Sequence, residues 1–283
     1  MVRTYYPDTA YEAMKARSEA PGALLVSGGT DVMVRKPAYE AVIILNGAGD
    51  LAEIRQEEDG SLFVGAEVTY ADMMQDHRIP EIFRTCIPGI ASPAIRNAGT
   101  MTGNICNASP AGDTLPVLSI MDAQVVIGSL DASGQEVSRT EGLLSFIQGI
   151  RKIDLLPTEV VLGVRLPLSD WERQNVCYYQ KVGSRRAESI SKASFAASAR
   201  VEDGTIKDLR ASWGSVGIKP VRFPDLEKKY AGTPVSDLKA RKEAVTADFI
   251  EGIHPIDDQR STAAYRRQVS ANLFSDFIDS LGG

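Results

Sequence analysis

The segment from Ser92 to Pro116 constrains this chain most, because it is rich in glycine, asparagine, serine and threonine and almost free of charge. Its charged residues are Arg96 and Asp113. A solvated loop of this length normally carries more charge, and long loops without regular structure in compact domains are usually functional. The composition predicts a loop folded back on itself, with backbone amides that bind an anionic or polar ligand. From composition alone, an elaborate structural loop is the alternative.

The carboxylate in the second half of this segment has two candidate roles. Asp113 can accept hydrogen bonds from the ribose hydroxyl groups of a nucleotide ligand. It can also cap the short helix predicted from Thr114 to Asp122, since acidic side chains accept hydrogen bonds from the free amides at a helix start. Both roles stay open on the residues alone.

A second candidate site is the sequence Ser27–Asp31, which directly follows the short apolar strand predicted at Leu24–Val26. Two adjacent glycines allow positive φ angles and a close approach of the backbone to a ligand. Successive amides there can cradle a pyrophosphate, and Thr30 adds a hydroxyl donor. The spacing fits neither the GxGxxG nor the GxxxxGK[ST] phosphate motif, so a plain tight turn is an equal alternative.

The periodicity of apolar residues and the turn signals predict an α+β protein without internal repeats. Thr9 and Glu12 form a capping box that opens a helix ending near Ser18. We place a β–α–β module at residues 1–54, a second α+β part at 55–170, and a domain of a small antiparallel sheet plus helices at 171–283. The other predicted elements are strands at Ala41–Leu45, Ser61–Val68, Gln124–Gly128, Val160–Leu166, Phe195–Val201 and Ile206–Val216, and helices at Tyr70–Asp76, Pro224–Ala231, Ser236–Ile250 and Ser261–Ser280.

Charge and hydropathy exclude several classes of protein. The 31 lysines and arginines are dispersed and the formal net charge is −6, so the chain lacks the basic face that nucleic-acid binding needs. No apolar run approaches the ~18 residues that indicate a membrane span. The N-terminus breaks at Pro7 and then turns amphipathic, which is not typical of a secretion signal. We therefore expect a cytoplasmic protein.

Cysteines and histidines are too few and too scattered for a metal site in this chain. Cys86, Cys106 and Cys177 contain no CxxC pair, and His77 and His254 are far apart in sequence. A structural zinc ion or an iron–sulfur cluster held by this chain alone is therefore not expected. Reduced thiols in or near packed regions are the simpler interpretation.

Two motifs taken together carry a specific resemblance. SGGTD at 27–31 and, about seventy residues later, IRNxGTxxGNIxNASPAxDTLP resemble the flavin subunits of xanthine dehydrogenase-type enzymes. These belong to the molybdenum hydroxylase family, with nicotinate and carbon monoxide dehydrogenases among its members. KVGSRR, from Lys181 to Arg186, resembles the basic segment that opens the family's C-terminal domain. The resemblance covers the whole chain, and the long second motif is its most specific part.

The resemblance implies a two-part FAD-binding domain of the vanillyl-alcohol-oxidase-like (PCMH) flavin fold, followed by a C-terminal domain, with FAD as the cofactor. It implies that Asp113 binds FAD hydroxyl groups and that Lys181 lies beside the isoalloxazine ring, where a cation stabilises a reduced, anionic flavin. Without the resemblance, Lys181, Arg185 and Arg186 indicate a solvated basic turn. The other implied contacts are Leu25, Val26, Ser27, Gly28, Gly29, Thr30, Asp31 and Val32 around the pyrophosphate, Thr100, Met101, Thr102, Gly103 and Asn104 as a second wall, and Ile90 and Val161 as apolar contacts.

The sequence departs from the family pattern at one position. The family usually has Thr-x-Gly-Gly-Asn, and Thr102 stands where the first glycine belongs. A threonine there requires either a negative φ or a remodelled loop. Residues 123–170 contain no cysteine, so the variant of this subunit that carries an extra iron–sulfur cluster is excluded.

The resemblance implies an electron-transfer subunit rather than the site of hydroxylation. A large molybdopterin subunit would oxidise a purine or another N-heterocycle. A small 2Fe–2S subunit would then carry the electrons to this FAD, and NAD⁺ or another acceptor would take them. Two alternatives stay open: a free-standing FAD-dependent oxidoreductase of the same fold, and a nucleotide-binding scaffold that has lost its flavin. No nucleophile–base pair is visible in the sequence, which favours the electron-transfer role.

Overall fold

The computed structural model describes residues 2–35, 37–185 and 188–282. The strands are β1 (Arg3–Tyr5), β2 (Leu24–Val26), β3 (Ala41–Ile44), β4 (Ile54–Gln56), β5 (Leu62–Gly65), β6 (Gln124–Leu130), β7 (Glu136–Gly142), β8 (Ile147–Gly149), β9 (Lys152–Ile153), β10 (Val160–Leu166), β11 (Val176–Val182), β12 (Ala193–Glu202), β13 (Thr205–Gly214) and β14 (Val221–Arg222).

The helices are mostly short, except for three of ten residues or more. They are α1 (Ala10–Glu19), α2 (Val32–Arg35), α3 (Tyr70–Gln75), α4 (Glu81–Cys86), α5 (Pro93–Arg96), α6 (Met101–Asn107), α7 (Leu115–Ile120), α8 (Leu143–Phe146), α9 (Leu168–Trp171), α10 (Pro224–Tyr230), α11 (Val235–Ala240), α12 (Lys242–Glu251) and α13 (Ala263–Ser280). Single turns of 3-10 helix lie at Leu45–Gly47, Gly49–Leu51 and Ile87–Gly89.

The chain divides into two compact units, and each unit is assembled from segments that are far apart in the sequence. Unit 1 contains the described residues up to 79 together with 92–108 and 122–167. Unit 2 contains residues 80–91 and 109–121 and the described residues from 168 onward. The division of the sequence at 54 and 170 stays a prediction.

Unit 1 begins with a small parallel sheet in the order β1-β3-β2. Thr9 starts α1 as predicted, because its hydroxyl accepts the Glu12 amide at 3.2 Å. The Glu12 carboxylate accepts the Asp8 amide at 2.8 Å instead of the Thr9 amide. Ala13 and Ala16 on the buried face of α1 are small, so the helix can pack closely against β3. This small core consists of Ala13, Ala16, Ala20, Ala23, Ala41, Ile43 and Leu45.

The larger sheet of unit 1 is antiparallel, in the order β4-β5-β10-β6-β7. Its central strand β10 has the predicted bounds, and Val160, Val164 and Leu166 are completely buried. The pairing with β6 shifts register between Val161 and Gly163, which marks a β-bulge. The run of apolar residues in β10 thus reflects burial in the middle of the sheet.

Unit 2 is built on an antiparallel sheet in the order β11-β12-β13-β14. β12 and β13 form the predicted hairpin, in which Asp203 and Gly204 have φ angles of 50° and 67°. Positive φ at both turn residues is the geometry that suits a two-residue hairpin. One face of the hairpin packs against α12 and α13 through an aromatic core of Phe195, Trp213, Phe249, Phe274 and Phe277.

The opposite face of β12 carries small side chains, including Ser194, and α7 packs against it. A Cβ on Gly214 would lie 3.0 Å from Pro116, which shows how closely α7 approaches the sheet. Arg222 and Arg210 donate to the Ser119 and Ile120 carbonyls at the end of α7, at 2.5 and 3.1 Å. Cations at a helix C-terminus satisfy its free carbonyls and oppose its dipole, so α7 is held firmly in place.

Two local predictions are wrong. The helix predicted at Ser236–Ile250 is two helices, α11 and α12, because Arg241 between them has φ −106° and ψ 20°. The charge-poor segment predicted as one loop contains α5 and α6. Ser92 and Thr100 start these helices, since their hydroxyls accept the amides of residues 95 and 103 at 3.4 and 2.9 Å.

Candidate functional site

The Ser27–Asp31 segment forms a tight turn between β2 and α2. Gly29 has a φ of 67°, a conformation that disfavours residues with a side chain. A Cβ on Gly28 would lie 1.6 Å from the Ala98 carbonyl oxygen, so only glycine fits there. Within the described part of the chain, the backbone amides of residues 28–31 donate to no other residue. They are therefore available to bind an anionic group.

The second predicted wall of the site lies directly against this turn. Thr100 Oγ1 is 3.2 Å from Ser27 Oγ and accepts the Gly103 amide at 2.9 Å. A Cβ on Gly99 would lie 3.7 Å from Thr30 Oγ1. The structure thus brings together the two motifs that the sequence analysis singled out separately.

The side chains at the start of α6 point into unit 1. Met101 and Thr102 are 0% and 5% exposed, whereas Gly103 is exposed and Asn104 is half-buried. Thr102 lies in the first turn of the helix and is not among the residues with positive φ. Of the two options for this threonine, the negative φ is therefore the observed one, and the departure from the family pattern causes no backbone strain.

One acidic group that the sequence analysis missed lies beside these hydroxyls. Glu67 follows β5, and the carbonyl of its neighbour Ala66 accepts the Ser27 hydroxyl at 3.3 Å. Glu67 Oε1 is buried and has no hydrogen-bond partner among the described residues. Burial raises the pKa of Glu67 to about 7, and a hydrogen bond from Ser27 opposes that shift. In the sequence, a lone acid next to an apolar run was the one available signal.

Arg151 is another residue that the sequence analysis did not single out. It lies 3.4 Å from Asp31, which also pairs with Arg35. Its guanidinium donates to Asn107 Oδ1 at 2.6 Å, and its amide donates to the Ala108 carbonyl at 3.0 Å. Arg151 therefore links the glycine turn to the C-terminal end of α6.

Unit 2 holds the two charged candidates, and they contact each other. Lys181 Nζ lies 2.7 Å from Asp113 Oδ2 and donates to the Gly89 carbonyl at 2.8 Å. Ser191 donates to Asp113 Oδ1 at 2.5 Å. The side chains of Lys181 and Asp113 are 12% and 11% exposed, so the ion pair is nearly buried. Burial raises the pKa of Asp113, and the charge of Lys181 opposes that shift.

This pairing excludes one alternative for each of these two residues. Asp113 directs its carboxylate at Lys181 and Ser191, and no side chain caps the start of α7. Lys181 lies in β11 rather than in a solvated turn. Arg185 donates to the Glu188 carbonyl at 2.6 Å, and Arg186 lies outside the described residues.

The apolar candidates divide between the units. In unit 2, Ile90 is half-buried and directly follows Gly89, whose carbonyl holds Lys181. In unit 1, Val161 is 3% exposed and lies at the bulge of β10. The residues that flank the glycine turn, Leu25, Val26 and Val32, are half-buried.

No group of histidine, cysteine, aspartate and glutamate side chains suited to a metal ion occurs within residues 2–35, 37–185 and 188–282. Over the same residues, no helix is long and apolar enough to cross a membrane. Cys86, Cys106 and Cys177 are free thiols, and burial raises the pKa of Cys106 to about 12.

Free amides at a glycine turn, with hydroxyl groups beside them, suit a cofactor that contains a pyrophosphate. Fold and site thus define an α+β protein that binds a nucleotide cofactor. Gly28 and Gly29 make this turn possible, because a Cβ on Gly28 would collide with the Ala98 carbonyl and Gly29 has a positive φ. The amides that the turn leaves available fit such a group.

Comparisons with known proteins make this class specific. The family model described as "FAD binding domain in molybdopterin dehydrogenase" matches residues 1–169. The model described as "CO dehydrogenase flavoprotein C-terminal domain" matches residues 178–281. The chain therefore belongs to the family of FAD-binding subunits of molybdenum hydroxylases, and FAD is its cofactor.

Individual relatives agree over nearly the full length. The chain is 25% identical over 287 residues to a putative xanthine dehydrogenase FAD-binding subunit of Escherichia coli K12, covering 97% of this chain and 95% of the relative. It is 27% identical to the caffeine dehydrogenase subunit beta of a Pseudomonas species, covering 96% and 92%. A chain of carbon monoxide dehydrogenase from Hydrogenophaga pseudoflava superposes with a TM-score of 0.86 at 21% identity, covering 99% and 96%. The predicted α+β flavin fold and the family resemblance are confirmed.

Proposed function

We propose that this chain is the electron-transfer subunit of a molybdenum hydroxylase complex that oxidises a purine or a related N-heterocycle. In that complex, electrons from the 2Fe–2S clusters of a small partner subunit would pass through bound FAD to NAD⁺ or another acceptor, while a large molybdopterin subunit would carry out the hydroxylation. Support comes from the family and from relatives named as FAD-binding or beta subunits of xanthine and caffeine dehydrogenases.

In unit 1, we assign the FAD pyrophosphate to the amides of residues 28–31. The observation that carries this assignment is the contact between the two motifs, in which Ser27 and Thr100 meet at 3.2 Å. Thr30 and Thr100 place hydroxyl groups beside the free amides, so an oxyanion there would meet several donors. The carboxylate of Asp31 in the same turn is paired with Arg35 and Arg151. Residues 25–27 and Val32 flank these amides. Together with Thr100, residues 101–104 form the proposed second wall of the site.

In unit 2, we assign Lys181 to the flavin ring and Asp113 to a hydroxyl group of FAD. The ammonium group of Lys181 is held by Asp113 and by the Gly89 carbonyl, so its position is set before any cofactor binds. A fixed cation stabilises negative charge better than a mobile one, because little reorganisation is needed. Ile90 is the proposed apolar contact in unit 2, and Val161 is the proposed apolar contact in unit 1.

The alternative of a scaffold without flavin depended on Thr102. Because Thr102 adopts an ordinary helical conformation, that reason no longer applies. The alternative of a free-standing oxidoreductase requires a catalytic base of its own, and no contact described above supplies one.

The cofactor assignment is tested on the purified chain. We expect a yellow protein with a flavin absorption spectrum and with FAD that is released by heat, since the proposed contacts are noncovalent. A colourless preparation that cannot be reconstituted with FAD would contradict it.

The partner assignment is tested by purification from the native host. We expect a cysteine-rich 2Fe–2S chain and a large molybdopterin chain to copurify with this subunit. Recovery of the chain alone, with full oxidoreductase activity, would favour the free-standing enzyme. A cytoplasmic location is part of the same proposal, and the three free cysteines suit that reducing compartment.

A further inference from the structure

The carboxyl group of Glu67 has no role in the assignments above, yet its environment is unusual. Its Oε1 atom is buried without a hydrogen-bond partner in the described part of the chain, whereas buried polar groups are normally paired. The residue lies at the junction of the two FAD motifs, because the Ser27 hydroxyl is 3.3 Å from the adjoining Ala66 carbonyl and 3.2 Å from the Thr100 hydroxyl. An acceptor or donor from outside the chain would satisfy this oxygen.

Over the residues that the structure describes, no charged group is among the causes that shift the pKa of Glu67. The causes that act on its pKa are burial, which raises it to about 7, and the Ser27 hydrogen bond, which lowers it. The backbone amide of Glu67 also donates to the carbonyl of Leu51, the last residue of a 3-10 turn, at 2.8 Å. The titratable groups on the surrounding elements face other partners: Asp31 with Arg35 and Arg151, Asp50 with the Ala10 amide, Asp72 with Thr69, and Arg165 with Glu57. The phenol of Tyr70 on α3 belongs to a buried residue.

We propose that Glu67 is a protonation-dependent part of the FAD site, whose neutral carboxylic acid donates a hydrogen bond to a phosphate oxygen of the cofactor and whose carboxylate opposes binding. The proposal rests on the placement of the pyrophosphate at residues 28–31. It adds a group that the family motifs do not contain, since Glu67 lies outside both of them.

Charge repulsion gives the direction of the effect. The pyrophosphate brings negative charge next to a carboxyl group that no cation neutralises, so bound FAD raises the pKa of Glu67 above its value of about 7 in the free chain. FAD binding then takes up a proton near neutral pH. By linkage, the affinity is constant below the pKa of the free chain and falls as the pH rises from there toward the pKa of the complex. A carboxylate that accepted a hydrogen bond from an FAD hydroxyl would give the opposite slope.

The test is a titration of FAD into the full-length chain freed of flavin, followed by flavin fluorescence at constant ionic strength. Between pH 6 and pH 8.5 the Kd of the wild-type chain should rise by about tenfold. Glu67→Gln should bind FAD at pH 6 as tightly as the wild type and keep that affinity at pH 8.5, because the amide remains a neutral donor. Glu58→Gln, which changes an exposed acid of the same unit, is the matched control and should keep the wild-type slope.

A second measurement covers the case in which Glu67→Gln does not fold. Calorimetry of FAD binding to the wild-type chain at pH 7.5, in buffers of different ionisation enthalpy, should show uptake of between about half and one proton. An affinity that is flat or rises with pH, or binding without proton uptake, overturns this role for Glu67 and leaves FAD binding at the turn intact. Failure to bind FAD at every pH overturns both this proposal and the cofactor assignment.

Discussion

Two regions of this chain carry the proposed FAD contacts by different physical means. In unit 1, the Ser27–Asp31 turn and the start of α6 offer backbone amides and neutral hydroxyl groups, and the absence of a Cβ at Gly28 sets their geometry. In unit 2, Asp113 and Lys181 form an ion pair that is nearly buried. The first region depends on shape and the second on charge balance. A single added carbon should therefore break the first, whereas the second should fail when one charge loses its partner.

Gly28→Ala should have the largest effect. The new Cβ would lie 1.6 Å from the Ala98 carbonyl oxygen, so the turn must move away from the segment that precedes α6. We expect the FAD affinity to fall by about a hundredfold and the free energy of unfolding to fall by about 3 kcal/mol, measured by FAD titration and urea unfolding. Gly49→Ala is the control, because a Cβ there meets nothing within 4 Å. Wild-type FAD affinity in Gly28→Ala would show that the turn does not bind the cofactor.

Asp113→Ala should have the next largest effect, because it leaves the ammonium group of Lys181 nearly buried without its carboxylate. Such a loss typically lowers the free energy of unfolding by about 3 kcal/mol, and we expect weaker FAD retention as well. The double variant Asp113→Leu with Lys181→Met removes both charges, so it should regain stability in urea unfolding without regaining FAD affinity.

The control for this prediction is Asp279→Ala, which breaks an ion pair with Lys242 whose side chains are 56% and 30% exposed. It should cost less than about 1 kcal/mol. If Asp113→Ala retains FAD as the wild type does, the proposed contact with FAD hydroxyl groups is wrong. If the double variant regains FAD affinity, the pair has a structural role alone.

Glu67→Gln should reveal the titration of the half-buried acid beside the glycine turn. The pKa of Glu67 is raised from its ordinary value of 4.5 to about 7, so the folded chain holds this proton more tightly than the unfolded chain. Its contribution to stability is complete below pH 4.5 and is lost as the pH rises to about 7. We expect the difference in unfolding free energy between the flavin-free wild type and the variant to change by about 2 kcal/mol across that range. A difference that stays constant with pH would contradict the raised pKa of Glu67.

Thr102→Gly should have the smallest effect, although it restores the family pattern. Thr102 lies in the first turn of α6 with an ordinary negative φ, so glycine brings no relief of strain. We expect a loss of less than about 1 kcal/mol from helix propensity and buried methyl area, with FAD affinity within about twofold of the wild type. Thr102→Ala is the control for side-chain removal alone. A tenfold gain in affinity would show that the threonine hinders flavin binding.

Local signals predicted the elements whose determinants lie within a few residues. Thr9 starts α1 and the apolar run at Val160–Leu166 forms the strand β10, as predicted. α6 was missed although its cap Thr100 is visible in the sequence, because the segment's glycine and asparagine content favoured a loop. A single side chain that satisfied the Gly103 amide outweighed that composition.

The amino-acid sequence by itself determined the family and the cofactor, because the glycine turn and the Ser92–Pro116 segment are motifs that can be read from the local sequence. Their glycine positions and hydroxyl spacing are local requirements of the proposed pyrophosphate site. Only the tertiary structure decided that Ser27 meets Thr100, that Lys181 pairs with Asp113, and that the Oε1 atom of the half-buried Glu67 is buried without a partner among the described residues. Pairing and desolvation depend on which distant segments pack around a group. The pKa of a single glutamate is therefore a property of the fold, whereas the need for glycine at position 28 is already visible in the motif.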